Sequence, residues 1–137
     1  MTEQEIKLIK TSWAHFRRLK PEVVADAFYS KLFLDNPSLR KLFPADMEGQ
    51  HEKLMMMLNT IVARLDRPDE LLTDIEALGV RHNVYGIKPQ LYKKMVSNAL
   101  FWTLKNGLAQ DWNEDVEMAW SKCYNVLSEL VIATTIK

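Results

Sequence analysis

Apolar residues return along this chain every three or four positions, the spacing of one face of an α-helix. The series opens with Ile6, Ile9, Trp13 and Phe16. Thr2-Glu3-Gln4-Glu5 precedes it and forms a capping box, with Thr2 as cap and Glu5 reaching back. Pro21 opens a second helix at a position where its missing amide hydrogen costs nothing, and Val24, Phe28, Leu32 and Phe33 give that helix a broad apolar face with Tyr29 beside Phe28. Asn36-Pro37 starts a short third helix, which Pro44 stops after Leu42-Phe43. Asp46 is the expected cap of the next helix, whose Met47, Gln50, Leu54, Met57 and Ile61 fall on one side and which ends at Arg64-Leu65-Asp66-Arg67-Pro68.

Asp69 is the expected cap of a helix carrying Leu71, Leu72, Ile75 and Leu78. It closes in Leu78-Gly79-Val80-Arg81-His82-Asn83-Val84-Tyr85-Gly86-Ile87, with a single histidine in its last turn. Gly86 and Pro89 make a corner, and two long helices follow, one from about Pro89 to Leu108 and one from near Asn113 to Val131 or beyond. No stretch shows the two-residue alternation of a half-buried strand, so the pattern predicts an all-α protein.

Composition narrows the classes. A chain of 137 residues, 47% of them hydrophobic, suits one domain over 1–137 with a single sizeable core. Acidic and basic residues balance at 18 each, which speaks against a nucleic-acid partner. No long uncharged apolar run spans a membrane, and the start Met1-Thr2-Glu3-Gln4-Glu5-Ile6-Lys7 is too polar for a signal peptide. Cys123 is the single cysteine, so no internal disulfide forms, and the whole suits a reducing cytoplasm. No internal repeat, phosphate-cradling glycine motif or C-x-x-C is present.

The three histidines are His15, a surface or boundary residue beside the first helix's core, His51 and His82. No H-E-x-x-H or carboxylate–histidine cluster supports a protein-only zinc site, and no serine or cysteine carries a local nucleophile signature. Any chemistry here therefore needs a bound cofactor.

Several separated features carry a resemblance: Phe28-Tyr29, Leu42-Phe43 before Pro44, Gln50 with Leu54, Leu78-Gly79 with Arg81-His82, Tyr85-Gly86-Ile87, Pro89 with Tyr92, and Ala119-Trp120 with Lys122 and Tyr124. In this order the sequence resembles a single-domain bacterial globin, related to the globin part of flavohaemoglobins, over nearly the whole chain. The resemblance implies a globin fold, a helical sandwich around a haem pocket with a shortened corner before the distal helix. It implies haem b, with His82 as the proximal ligand of the iron. Without the resemblance, His82 reads as a helix-end histidine that favours the helix dipole.

The same resemblance lays Phe43 flat on the haem and makes Leu54, Leu78, Ile87, Met95 and Val96 apolar walls, residues that otherwise read as plain core. It sets Tyr29 and Gln50, with Leu54, above the open face of the iron. Bound oxygen carries partial negative charge. Donors aimed at it slow its release, at about 0.5–1.5 kcal/mol for each hydrogen bond and roughly tenfold to a hundredfold for two. The plainer readings are a tyrosine bonded to a backbone carbonyl and a solvent-facing glutamine. His51 lies about 100° further round the helix, on a side shared with Met55, Leu58 and Val62, and is the competing ligand that would make the haem six-coordinate. Lys53 and Arg81 are cations for the haem edge, where they pair with propionates.

Tyr92 matches a family tyrosine behind the proximal histidine. The glutamate that accompanies it in the family falls near Thr135 here, and Glu129 comes about a turn and a half too early. The strong proximal donation of the family is thereby in question, with Tyr85 as a partial substitute. Three functions then compete. One is reversible, high-affinity binding of oxygen, with carbon monoxide and nitric oxide as further gas ligands. Another is nitric oxide dioxygenase activity, for which this sequence carries no flavin or nicotinamide domain and needs a separate reductase. The third is a gas sensor acting through a partner in trans. A globin fold without haem is the bland alternative, against which His82, Phe43, Tyr29 and Gln50 stand together.

Overall fold

Helix follows helix along the chain in the computed structural model, which describes the backbone of residues 1–84 and 91–136 and the side chains of 1–77 and 94–130. The helices are α1 (Glu3–Arg17), α2 (Pro21–Asp35), α3 (Glu48–Ala63), α4 (Pro68–Val84), α5 (Ser97–Leu108) and α6 (Glu114–Ile136). Short 3₁₀ turns occupy Pro37–Leu42 and Ala109–Asp111, and a π-helical turn, Leu91–Val96, leads into α5. Among the described residues there is no strand, so the all-α expectation holds.

The helix starts show which local signals act. Thr2 and Glu5 form the predicted capping box: the Glu5 amide donates to Thr2 Oγ1 at 3.1 Å and the Thr2 amide to Glu5 Oε1 at 2.7 Å. Asn113 caps α6, its Oδ1 accepting from the Val116 amide at 3.0 Å. Two expected caps are displaced, one by one residue and one by two. Met47, not Asp46, is the cap residue of α3, although Asp46 Oδ1 still takes the Glu48 amide at 3.0 Å. α4 begins at Pro68, so Arg67 rather than Asp69 holds the cap position, its carbonyl accepting from the Leu71 amide at 3.1 Å. Proline at a first helical position is preset for the helix, and Asp69 then serves in the first turn, where its charge suits the dipole. The third helix is a 3₁₀ turn, because the prolines on either side leave too few residues for an α-helical ladder. The start of the long helix expected at Pro89 lies outside the described residues.

Aromatic residues of α1 lock the fold together. Trp13 stacks on Phe16 with ring centroids 5.4 Å apart and meets Trp120 of α6 at 6.1 Å. The Trp120 indole donates to Ser12 Oγ at 2.9 Å and the Trp13 indole to Asn59 Oδ1 of α3 at 2.7 Å, so both buried N–H groups are satisfied. Lys122 pairs with Glu5 at 3.2 Å across the same helix pair. α2 packs on α3 and α5, and α4 packs along α6. The side of α3 that carries Met55 and Val62 is buried with Leu54, so this helix turns two adjacent faces inward.

Candidate functional site

Tyr29 is 5% exposed and sits where α2 meets α3 and the corner after Leu42. Aromatic rings surround it. Phe28 and Phe43 approach edge-on with centroids at 4.9 and 5.6 Å, and Phe33, one turn further along α2, stacks at 5.8 Å. His51 lies parallel to the phenol, 5.6 Å away and 20° from coplanar. Gln50 Nε2 donates to Tyr29 Oη at 3.0 Å. Because the amide supplies the hydrogen in that bond, the phenol keeps its own O–H to give. Among the described residues no group accepts it.

Burial pushes the Tyr29 pKa above its ordinary value, and the Gln50 bond offsets this only in part. The phenol is therefore a neutral donor at physiological pH. A buried donor without an acceptor costs about 1–3 kcal/mol, so this hydroxyl is held ready for a group other than the described residues. Apolar side chains around the core are also incompletely covered. Phe33, Phe43, Met47, Met57, Leu58, Ile61, Met95 and Val96 are only partly buried, although they pack on the core. A flat apolar cofactor that carries a small polar ligand fits both features.

The structure thus brings Tyr29, Gln50 and Phe43 together, with Leu54 buried in the same cluster and Lys53 exposed on the outer side of α3. His82 falls in the last turn of α4. The side chains of Leu78, Arg81, His82 and Tyr92, and the whole of Tyr85 and Ile87, lie outside the described residues, as does the side chain of Thr135. Glu129 is exposed. In sequence Phe33 reads as part of a broad apolar face and His51 as a rival ligand. Both are in fact the ring walls of Tyr29, and the four-residue step from Tyr29 to Phe33 is the signal for the first.

The globin family model matches residues 26–130. A flavohemoprotein of Bacillus subtilis is 25% identical over 81% of this chain but only 28% of its own length, and a flavohemoprotein of Vibrio cholerae is 24% identical over 96% of this chain and 34% of its own. The chain thus spans about a third or less of the flavohemoproteins it matches. A leghemoglobin of Psophocarpus tetragonolobus is 27% identical, with 93% of this chain and 92% of that protein covered. Among solved structures, a hexacoordinated heme protein from an anhydrobiotic tardigrade superposes with a TM-score of 0.87 at 21% identity, covering 100% of this chain and 96% of that one. A bacterial globin from Campylobacter jejuni superposes at 0.82 with 20% identity, covering 98% and 96%. The helices, their order and the family match over most of the chain agree: this protein has the globin fold and belongs to the globin family.

Proposed function

We propose that this globin binds oxygen reversibly and tightly, at a haem b iron held by His82, with Tyr29 and Gln50 supplying the distal hydrogen bonds. Haem with iron follows from membership in the family. The observation that supports the distal assignment is the buried Tyr29 hydroxyl, which accepts from Gln50 and has no protein acceptor for its own hydrogen among the described residues. When bound, ferrous haem supplies a coordination site for a diatomic gas, and the chain supplies everything around it. Phe43 and Leu54, with Leu78 and Ile87, bound the apolar pocket and keep water out. Lys53 and Arg81 pair with the propionates, and Tyr92 stands behind His82. Gln50 fixes the phenol through its oxygen, so the Tyr29 hydrogen points at the ligand's partial negative charge without losing entropy when the ligand enters.

Removing that donor is the test. Tyr29→Phe should raise the oxygen dissociation rate about three- to tenfold, the share of one net hydrogen bond. The carbon monoxide rate should move less, because carbon monoxide carries less negative charge. An oxygen off-rate equal to that of the unaltered protein would take Tyr29 out of the mechanism. Absorption spectra of the ferric, reduced and carbon monoxide forms test the haem itself. A six-coordinate reduced spectrum without added ligand would make His51 the sixth ligand.

A second reading is favoured by the flavohemoprotein relatives, whose name joins a flavin to a haem. In nitric oxide dioxygenation, nitric oxide, dioxygen and one electron give nitrate. Sustained turnover then depends on a flavin-type electron donor. Nitric oxide consumption that continues for many turnovers with a flavin reductase and nicotinamide cofactor present supports this reading. Consumption that stops after one equivalent per haem, with reductase present, rejects it.

A further inference from the structure

The corner between the Pro37–Leu42 turn and α3 has no ladder of its own. Phe43 is extended there, with φ −120° and ψ 155°, and the backbone runs on through Pro44 and Ala45 before α3 begins. Three successive carbonyls therefore need donors from elsewhere. A single side chain serves all three: Arg40 Nη1 donates to the Phe43 carbonyl at 3.2 Å and the Pro44 carbonyl at 3.0 Å, and Nη2 donates to the Ala45 carbonyl at 3.1 Å. The guanidinium carbon also lies 5.4 Å from the centre of the Phe33 ring. Among the described residues Arg40 has no carboxylate partner. Its charge is met by carbonyl dipoles and a ring face, which fixes it far more tightly than a solvated surface cation.

These contacts tie Arg40 to the site along two routes. Through the backbone it holds Phe43, whose ring meets Tyr29 edge-on. Over its face it holds Phe33, which packs on both Tyr29 and Phe43 at 5.8 and 5.4 Å. Resting on the gas-binding reading above, we propose that Arg40 is a positioning residue, which holds Phe43 against Tyr29 and thereby sets how readily a gas ligand escapes. The clamp is specific to arginine. Its planar fork presents donors to separate acceptors at once while stacking on a ring, whereas an ammonium is a point donor that cannot span three carbonyls. Loss of the clamp frees the corner, lets Phe43 swing from Tyr29 and opens the distal side.

The test compares the unaltered chain with Arg40→Lys and Arg40→Gln, each loaded with haem in the reduced carbon monoxide form. Three quantities are read: amide exchange at Phe43 and Glu48, whose N–H groups donate to the Arg40 carbonyl and to Asp46 Oδ1, the through-space proton contact between the Phe43 and Tyr29 rings, and the rates of carbon monoxide and oxygen release. In both variants corner exchange should rise about tenfold while α1 and α6 stay as protected as before. The ring contact should weaken, and oxygen release should quicken about three- to tenfold, the cost of one hydrogen bond misaligned, with carbon monoxide release moving less. Unchanged corner exchange overturns the proposal, as does full recovery with lysine, which would mean that charge alone suffices. A loosened corner with unaltered gas release overturns the link to the ligand. A chain that takes up no haem removes the gas-binding reading and the escape-rate claim together, while ring contact and corner exchange still decide whether Arg40 positions Phe43.

Discussion

At the scale of single residues, the distal side depends on which atom holds which hydrogen. Tyr29 and Gln50 could be picked from the sequence only through the globin resemblance, because periodicity alone leaves Gln50 as readily facing solvent. Their spacing of 3.0 Å and the direction of the bond, amide to phenol, could not, since both depend on how α2 crosses α3. Arg40 was illegible for a different reason. An arginine in the polar run Ser38-Leu39-Arg40-Lys41 reads as solvated, and only the folded corner brings three carbonyls round it. The burial of Tyr29 also has a consequence in alkali. Its folded pKa is raised, whereas in the unfolded chain the phenol ionises near its ordinary value of about 10. The stability this contributes is whole below that pH and is lost as pH rises through the raised folded value. Urea midpoints measured from neutral to alkaline pH should therefore fall more steeply in the unaltered protein than in Tyr29→Phe. Equal slopes would show that the phenol is not protected from ionising.

At the scale of helices, apolar spacing and proline positions revealed the order and type of nearly every element, while starts slipped by one or two residues where two start signals compete. Pro68 and Asp69 are such a pair, and so are Asp46 and Met47. Close approach of helices left a subtler mark. Gly107 lies in the last turn of α5 and reads in sequence as a weak spot, because glycine lowers helix propensity by about 1 kcal/mol. In the fold it is a contact. A Cβ there would stand within 2.7 Å of Phe16 Cζ and closer still to Cε1. Phe16 is 1% exposed and stacked on Trp13, so its ring has nowhere to turn. Gly107→Ala should thus destabilise the protein by about 1–3 kcal/mol, against the direction that propensity predicts. Adding Phe16→Leu should recover part of the loss, because the two changes share one contact. Chemical unfolding of the two single variants and the double variant measures this, and a Gly107→Ala protein more stable than its parent would show that the helices part without cost.

At the scale of the whole molecule, the partly covered apolar residues explain why the fold and its cofactor are energetically one object. Phe33, Phe43, Leu58, Met95 and Val96 come from α2, the corner, α3 and the segment leading into α5, and each packs on the core while staying incompletely buried. A group that covers them all removes apolar surface from water on several elements at once, worth about 25 cal/mol per Å². It binds the folded chain and has no comparable surface in the unfolded one. Mass action then makes binding a stability term: at a free hemin concentration a hundredfold above Kd, folding gains about 2.7 kcal/mol. Hemin should accordingly raise the thermal midpoint of the unaltered protein, and chelating or extracting it should lower the midpoint again. The hemin-dependent increment, measured against each variant's own hemin-free midpoint, separates roles that activity alone would blur. On the proposed reading Tyr29→Phe should keep the increment nearly whole, because the phenol would serve the gas rather than the cofactor. On the same reading His82→Ala and Phe43→Ala should each lose much of it, the first through the proposed bond to iron and the second through the covered surface. A midpoint indifferent to hemin in the unaltered chain would mean that these half-buried residues face something other than haem.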